Sequence, residues 1–299
     1  MRNLKFLLAT TAVSISLLTL SGQQANAGQL YNGWNYGIDA VGDGSGGDTF
    51  DIKGMAIKDS GDKIYVALTG GMPLTGTTDS DDYWNPGHSV HIGWSDLFFN
   101  LSGQDFQTAS QNGQLVGVRF ANYDNSLQTG VYTGVTAKST TTQHGGYSNL
   151  KWYYDWGWGK TNTQGTDLAT TQDVYNYYYK SAIASNPTQD NTPILNAIGS
   201  GTKVGNISML GTQDLTNVGL DFSHFSALGD YTIGFSLDKA LIGSGNYVSN
   251  IFLECGNDGV ALKGNLQSVP ESSGGIGLVL AGLTFVMAQQ RQLRRKQHV

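Results

Sequence analysis

Apolar and polar side chains alternate along much of this 299-residue chain, as they do in β-strands that bury one face. The alternation is clearest in two neighbouring runs, 52–58 and 63–69. The polar segment between them, 59–62, reads Asp-Ser-Gly-Asp. A short connection that contains glycine, set between two alternating runs, predicts a β-hairpin.

Similar short runs recur along the chain, and segments rich in glycine, aspartate and threonine separate them, notably 70–89 and 139–149. No repeat of fixed period is visible, which argues against a solenoid or a propeller. Short strands at this spacing are typical of a β-sandwich. The sequence therefore predicts a mainly β fold, with a single jelly-roll-like β-sandwich domain over 28–268. The further strands are predicted near 90–94, 96–101, 115–121, 130–138, 150–158, 216–222, 230–237 and 247–255.

Segment 166–185 fits two local structures. One face of a helix here would carry Val174, Tyr175, Tyr178 and Ala182, and Asn186-Pro187 would end that helix. The tyrosine-rich stretch 174–179 also has high β propensity. We favour a short helix here and keep the strand as the alternative.

The first 27 residues have the organisation of a secretory signal peptide. Arg2 and Lys5 precede an apolar run over 6–20, and Ala25-Asn26-Ala27 follows it. A charged start, an apolar middle and an Ala-x-Ala end are the three parts of such a signal. We predict cleavage after Ala27.

The C-terminal segment, 269–299, combines a polar spacer, an apolar run over 276–288 and a basic end. The apolar run is shorter than the ~20 residues that span a bilayer comfortably. The cations behind it would stay on the cytoplasmic side of the membrane. A short span after a polar spacer is typical of a sorting tail that is later removed. A permanent single-span anchor is the alternative.

The tail resembles the PEP-CTERM signal of Gram-negative surface proteins, which membrane proteases called exosortases process. The resemblance rests on Val269, Pro270 and Glu271, on the apolar segment after them, and on Arg294 and Arg295. Ser272 stands where that family usually has proline.

Four interior blocks are similar to those of a cyanobacterial group of exosortase-dependent surface proteins: 31–39, 54–57, 93–100 and 252–258. The last block contains Cys255-Gly256-Asn257-Asp258. The resemblance implies export across the inner membrane, transient retention there by the tail, and processing by an exosortase. The product would be a non-enzymatic component of the cell surface or extracellular matrix.

The charge of the predicted domain is strongly negative. Six of the 17 lysines and arginines and one of the 23 acidic residues lie outside 28–268, which leaves 11 basic and 22 acidic residues and a net charge of −11. Binding to nucleic acid through phosphate neutralisation requires basic residues. We therefore predict no nucleic-acid partner.

Acidic side chains in a glycine-rich loop suggest one candidate metal site. Asp43, Asp48 and Asp51 could supply oxygen ligands to calcium, which takes six to eight of them. The spacing is not that of an EF-hand, and a flexible loop without a metal is the alternative.

An aromatic row suggests a carbohydrate-binding surface. If 152–158 were a strand, then Trp152, Tyr154, Trp156 and Trp158 would share one face, and such rings stack on sugars. The other interpretation, which we favour, is that the row packs in the core of the domain, because aromatic side chains carry much of a core's buried area.

No catalytic residues stand out in the sequence. A glycosidase needs two carboxylates at a set separation in three dimensions, which a chain with 21 aspartates does not reveal. A secreted hydrolase of matrix polysaccharide is kept as the alternative function.

The single cysteine, Cys255, excludes an intramolecular disulfide, and we predict that it is a buried structural residue.

Overall fold

The computed structural model describes residues 28–39, 48–79, 87, 89–121, 127–152, 171–178 and 191–268. These residues form 14 strands and four short helices, so the mainly β prediction is confirmed. The strands are β1 (Gln29–Tyr31), β2 (Trp34–Ile38), β3 (Ile52–Ser60), β4 (Lys63–Gly70), β5 (Thr77–Asp79), β6 (Val90–Ile92), β7 (Leu97–Asn100), β8 (Leu115–Arg119), β9 (Gly130–Lys138), β10 (Ala197–Gly205), β11 (Ser208–Leu210), β12 (Tyr231–Asp238), β13 (Gly245–Phe252) and β14 (Gly259–Leu266). The helices are α1 (Phe106–Gln111), α2 (Leu150–Trp152), α3 (Thr171–Tyr178) and α4 (Thr212–Asn217).

The strands form two six-stranded antiparallel sheets and a small ribbon of β5 and β6. The first sheet has the order β1-β2-β3-β4-β12-β11, and the second has the order β10-β9-β8-β7-β13-β14. Each large sheet thus consists of a four-stranded meander, β1–β4 or β7–β10, and two further strands from the C-terminal half of the chain.

The predicted hairpin is confirmed as β3 and β4. The two strands pair from Ser60↔Lys63 to Ile52↔Gly70, so both are longer than the alternating runs and the turn is shorter. Gly61 begins this turn with a φ of 65°, a conformation that glycine adopts without strain. This hairpin forms the middle of the first sheet.

Two predicted strands are wrong where the structure describes them. Residues 150–152 of the segment 150–158 form α2, because Asn149 Oδ1 accepts a hydrogen bond from Trp152 N at 3.1 Å and starts a helical turn. In the segment 216–222, the chain up to Asn217 belongs to α4 and no strand follows. Asp214 Oδ2 accepts from Gly211 N at 3.1 Å and stabilises the first turn of α4. In both cases a local side-chain cap outweighs β propensity.

The ambiguous segment 166–185 contains α3, so the helix that we favoured is confirmed over Thr171–Tyr178. Tyr177 and Tyr178 on α3 are buried, at 6% and 2% exposure, in a cluster with Phe98, Phe106 and Phe252. Helix α3 therefore covers the outer face of the second sheet, next to α1.

The largest apolar cluster lies between the two sheets. It joins Leu68 and Phe235 of the first sheet to Phe99 and Ile251 of the second. Phe235 also stacks on Phe120 with a centroid distance of 5.3 Å. A third cluster lies on the outer face of the first sheet, under α4. Buried side chains therefore occupy three layers, and both outer layers are capped by short helices.

None of the helices in the described ranges is long and apolar enough to cross a membrane. The predicted signal peptide, 1–27, and the predicted sorting tail, 269–299, lie outside those ranges. The sorting residues Val269, Pro270, Glu271, Arg294 and Arg295 therefore have no structural description.

Candidate functional site

A cleft of about 390 Å³ opens on the outer side of the second sheet, between α3, the start of α1 and the ends of β13 and β14. We name it the amide cleft because four side-chain amides line it, together with two carboxylates, two tyrosines and a lysine. These residues are Asn100, Gln104, Asn176, Asn246, Asp105, Asp173, Tyr177, Tyr247 and Lys263.

Asn100, at the end of β7, fixes the loop that forms one wall of the amide cleft. Its Nδ2 donates to Gln104 O at 2.9 Å, and its Oδ1 accepts from Ser102 N at 3.1 Å and from Ser102 Oγ at 2.6 Å. Asn100 is only 3% exposed, whereas Ser102 is half-buried and Gln104 is exposed. Asn100 thus ties this surface loop to the end of β7 through three hydrogen bonds.

Asp105 continues this wall as the N-cap of α1. Its Oδ1 accepts from Thr108 N at 2.8 Å and its Oδ2 accepts from Thr108 Oγ1 at 2.7 Å. A carboxylate that accepts from the first turn of a helix stabilises the start of that helix. Both oxygens of Asp105 are thus engaged in holding α1 in place.

Tyr177 of α3 forms the inner wall of the amide cleft. Its hydroxyl donates to Asn250 Oδ1 at 2.8 Å, and burial raises the pKa of Tyr177 far above its ordinary value. The hydroxyl therefore stays protonated, and its hydrogen bond holds α3 against β13.

The opposite rim comes from β13 and β14. Asn265 Nδ2 donates to Asn246 Oδ1 at 2.7 Å. This bond holds the side-chain amide of Asn246 and thereby sets the direction of its Nδ2 group, which is a donor. Lys263 Nζ lies 3.9 Å from Asp173 Oδ1, and both side chains are about one third exposed, at 33% and 37%. This ion pair connects β14 with α3 across the opening.

The predicted aromatic row is described only at its first residue. Trp152, at the end of α2, is 43% exposed, whereas Tyr154, Trp156 and Trp158 lie outside the described residues. Leu150 of α2 is buried in the same cluster as Tyr177. The exposed indole of Trp152 and the amide cleft therefore lie on the same side of the second sheet.

Of the three predicted calcium ligands, the structure describes Asp48 and Asp51. Asp51 lies with Asp39 and Asp258, and their carboxylate oxygens are all within 4.8 Å of one another. Burial raises the pKa of Asp51, Lys53 opposes this shift, and Asp48 adds to it. Asp43 lies outside the described residues.

Asp258 in this acidic group has a structural role of its own. It is fully buried, and its carboxylate accepts from Ile52 N at 2.5 Å and from Gly259 N at 2.7 Å. It thereby connects the start of β3 with the start of β14. The oxygen donors are of the class that calcium prefers, and calcium binding stays a prediction.

The Cys-Gly-Asn-Asp block follows Glu254, which is buried at one end of the two sheets. Glu254 Oε2 accepts from Gly93 N at 2.9 Å and lies 3.5 Å from His144 Nδ1. Burial raises the pKa of Glu254 to about 7, while the Gly93 N–H and Arg119 oppose this rise and Asp96 adds to it. The contacts of Glu254 thus join the segments around Gly93, His144 and Glu254, which are far apart in the sequence.

Cys255 is buried, as predicted, at 2% exposure. Its Sγ contacts Asn257 Oδ1 at 2.6 Å, and burial raises the pKa of the thiol to about 12 from its ordinary 9.0. We expect the folded protein to react with an aromatic disulfide reagent at about pH 8 roughly 1,000-fold more slowly than the unfolded protein, because the thiolate is the reactive form. Absorbance of the released thiol, with Cys255→Ser as the blank, measures the two rates. Equal rates would show that the thiol is accessible.

Sequence reasoning missed the amide cleft. Its walls come from four segments, around 100–105, 173–177, 246–248 and 263–264, and none of them carries a recognisable motif. The one usable signal was the pattern Asn100-x-Ser102-x-x-Asp105, in which short polar side chains cap a turn and then a helix.

Comparison with models of protein families, with curated proteins and with solved structures finds no match for this chain. The function must therefore be argued from the sequence and from the geometry of its sites.

Proposed function

We propose that this protein is an exported, non-enzymatic component of the cell surface or extracellular matrix that binds polysaccharide in the amide cleft. The observation that carries the proposal is a pre-formed cleft whose polar lining includes four side-chain amides. An amide offers both donors and an acceptor, and sugar hydroxyls are themselves donors and acceptors.

The rigidity of the cleft supports binding. Asn100, Asp105 and Tyr177 are fixed by hydrogen bonds within the protein, so a ligand would not have to order them. Gln104 and Asn176 are exposed and lie at the opening, where a ligand reaches them first. The exposed Trp152 on the same side of the sheet offers a ring for stacking.

The two carboxylates of the amide cleft favour binding over hydrolysis. A glycosidase needs one carboxyl group that donates a proton and a second that attacks or activates water. Asp105 uses both oxygens to cap α1, and Asp173 pairs with Lys263. Both are thus committed to holding the walls of the cleft.

The proposed fold is a β-sandwich, jelly-roll-like in its two facing antiparallel sheets. The support is the apolar cluster that contains side chains from both sheets. In this arrangement the outer face of the second sheet is available to carry the cleft and its covering helices.

The binding experiment uses the protein isolated from the surface fraction of its host and a panel of neutral and acidic polysaccharides in affinity electrophoresis. We expect the double variant Gln104→Ala, Asn176→Ala to bind the retained polysaccharide about tenfold more weakly, since two lost hydrogen bonds at ~0.7 kcal/mol each amount to ~1.4 kcal/mol. Trp152→Ala is expected to weaken binding by a similar factor if its ring stacks on the ligand.

Matched controls lie on the first sheet. Gln213 and Asn217 of α4 are also an exposed glutamine and asparagine, and they bond to each other at 2.9 Å. Tyr231, at 45% exposure, matches Trp152. Alanine at these three positions should leave binding unchanged. Equal loss in both sets, or no retention by any polysaccharide, would contradict the amide cleft as a binding site.

We further propose that residues 1–27 and the segment beyond about Val269 are removed, the second by an exosortase-type protease at the inner membrane. The support is the order of signal, acidic domain, polar spacer, apolar run and basic end in the sequence. Polysaccharide outside the cell would then meet the domain alone.

Intact-mass measurement of the protein from the surface fraction tests this processing. We expect a mass that lacks both terminal segments and a C-terminal peptide that ends near Val269. A retained apolar tail would contradict processing and would favour a permanent single-span anchor. Replacement of Pro270 and Glu271 by alanine should cause the tail to be retained, whereas the same change at Gln267 and Ser268 should not.

A further inference from the structure

Asn35 on β2 carries a buried oxygen that has no donor among the described residues. Its Nδ2 donates to Lys263 O at 2.8 Å, and because a carbonyl only accepts, this bond fixes which end of the amide is oxygen. The other end, Oδ1, has no hydrogen-bond partner, and the residue is only 8% exposed. Buried acceptors without a donor are rare in folded proteins, so this one calls for a partner.

Gly28, the first described residue, lies directly against this oxygen. A Cβ atom at position 28 would be 1.9 Å from Asn35 Oδ1 and 2.8 Å from Leu262 Cδ1, so any larger residue would displace these two side chains. The Cα of Gly28 therefore contacts the oxygen, and the backbone nitrogen of Gly28 is one bond away from that Cα.

Cleavage after Ala27 changes what this nitrogen can donate. Hydrolysis adds the oxygen of water to the carbonyl carbon of Ala27, which leaves as a carboxylate, and the nitrogen of Gly28 gains protons to become an ammonium. A peptide nitrogen has one N–H, which is fixed in the peptide plane. An ammonium has three N–H groups that rotate about the bond to Cα, and its residue is no longer tethered on that side.

Strand β14 lies close to this corner of the first sheet. Gly37 follows Tyr36, the register partner of Gln29, so Gly37 faces Gly28 across β1 and β2. A Cβ atom on Gly37 would be 3.0 Å from Ala261 O of β14, and one on Gly28 would be 2.8 Å from Leu262 Cδ1. Strands β1, β2 and β14 therefore meet beside Gly28 and Asn35.

We propose that the α-ammonium of Gly28, formed when residues 1–27 are removed, docks on Asn35 Oδ1 and joins the start of the first sheet to β14. This inference rests on the proposed export, because the ammonium exists only if cleavage occurs after Ala27. Removal of the signal then completes the hydrogen bonding of the fold as well as releasing the protein from the membrane.

The test compares the exported protein with a variant that has one alanine inserted between Ala27 and Gly28. Cleavage after Ala27 leaves the ammonium of this variant one residue away from Asn35. Both proteins are treated in the native state with a limiting succinimidyl acetate, and mass spectrometry of the N-terminal peptide gives the acylation rate. The exposed Lys138 serves as the internal reference for reagent and pH.

We expect the N-terminus of the natural protein to react about tenfold more slowly than that of the variant, as a single hydrogen bond would produce. The substitution Asn35→Leu should raise the acylation rate of the N-terminus toward that of the alanine-insertion variant. If Asn35→Leu impairs folding, the alanine insertion still tests the proposal. Equal rates in the natural and inserted proteins would overturn the docking and leave the export proposal intact. An N-terminus other than Gly28 would overturn the predicted cleavage and the docking with it.

Discussion

Replacement of Asp96 by alanine is expected to lower the free energy of unfolding by about 3–5 kcal/mol. Asp96 Oδ1 lies 3.5 Å from Arg119 NH1, and the two side chains are only 2% and 6% exposed. Asp96 Oδ2 also accepts from Ile198 N at 2.7 Å. Loss of the carboxylate would leave the buried guanidinium of Arg119 and the buried N–H of Ile198 without these acceptors. The cost is large because removal of one partner of a buried ion pair leaves the other charge uncompensated.

Urea denaturation followed by tryptophan fluorescence measures this loss. The matched control is the surface pair of Lys63 and Asp238, which are 2.5 Å apart and 43% and 61% exposed. Asp238→Ala should cost far less than Asp96→Ala, because water solvates the remaining ammonium. Asp96→Asn should fall between the two, since an amide oxygen can still accept from Ile198 N. If Asp96→Ala and Asp238→Ala had equal effects, the buried pair would not be important for stability.

The stability of the protein is expected to fall as the pH rises from about 4.5 to about 7, because of Glu254. Burial raises the pKa of Glu254 from its ordinary 4.5 to about 7 in the folded state. Between these values the folded state binds a proton that the unfolded state has released, so acid favours folding. Above about pH 7 the carboxyl group is ionised in both the folded and the unfolded state. The free energy of unfolding is then lower than at acid pH by about 3 kcal/mol, at ~1.4 kcal/mol for each pKa unit.

The substitution Glu254→Gln isolates this effect. Glutamine keeps an oxygen that can accept from Gly93 N and removes the charge, so we expect a gain of about 2–3 kcal/mol at pH ~8 and little change at pH ~4. Urea midpoints measured across this range give the slope. The exposed Asp238→Asn is the control and should leave the slope unchanged.

His144 lies beside Glu254, with its Nδ1 at 3.5 Å from Glu254 Oε2. The same Nδ1 lies 2.6 Å from His91 O, a carbonyl that can only accept, so Nδ1 carries hydrogen. A pH slope that persists in Glu254→Gln would assign the proton to another group.

The sequence predicted those parts of the fold that depend on neighbours along the chain. The alternation in 52–58 and 63–69 predicted the hairpin of β3 and β4, because strand side chains repeat every two residues. The predictions near 115–121, 130–138 and 230–237 were confirmed for the same reason. The strands β2 and β14 were missed because both faces of each are largely buried, so their sequences do not alternate.

Local propensity failed where a single side chain decided the conformation. The β-prone residues at 150–152 and 216–217 became helical because Asn149 and Asp214 cap those turns. The tyrosine-rich stretch 174–178 became α3 because the outer face of the second sheet offers an apolar surface for Tyr177 and Tyr178. Burial against another element outweighed intrinsic preference there.

By itself, the sequence determined the mainly β class, the central hairpin, the excess of acidic over basic residues in 28–268 and the buried character of Cys255. The β class and the hairpin follow from the two-residue period of apolar positions, the acidic excess follows from composition, and the burial of Cys255 follows from its residue type. The tertiary structure alone decided the amide cleft, the grouping of Asp51 with Asp39 and Asp258, and the burial of Glu254 beside His144. Each of these joins side chains from segments far apart in the sequence, and only the pairing of strands and the packing of the sheets bring such segments together.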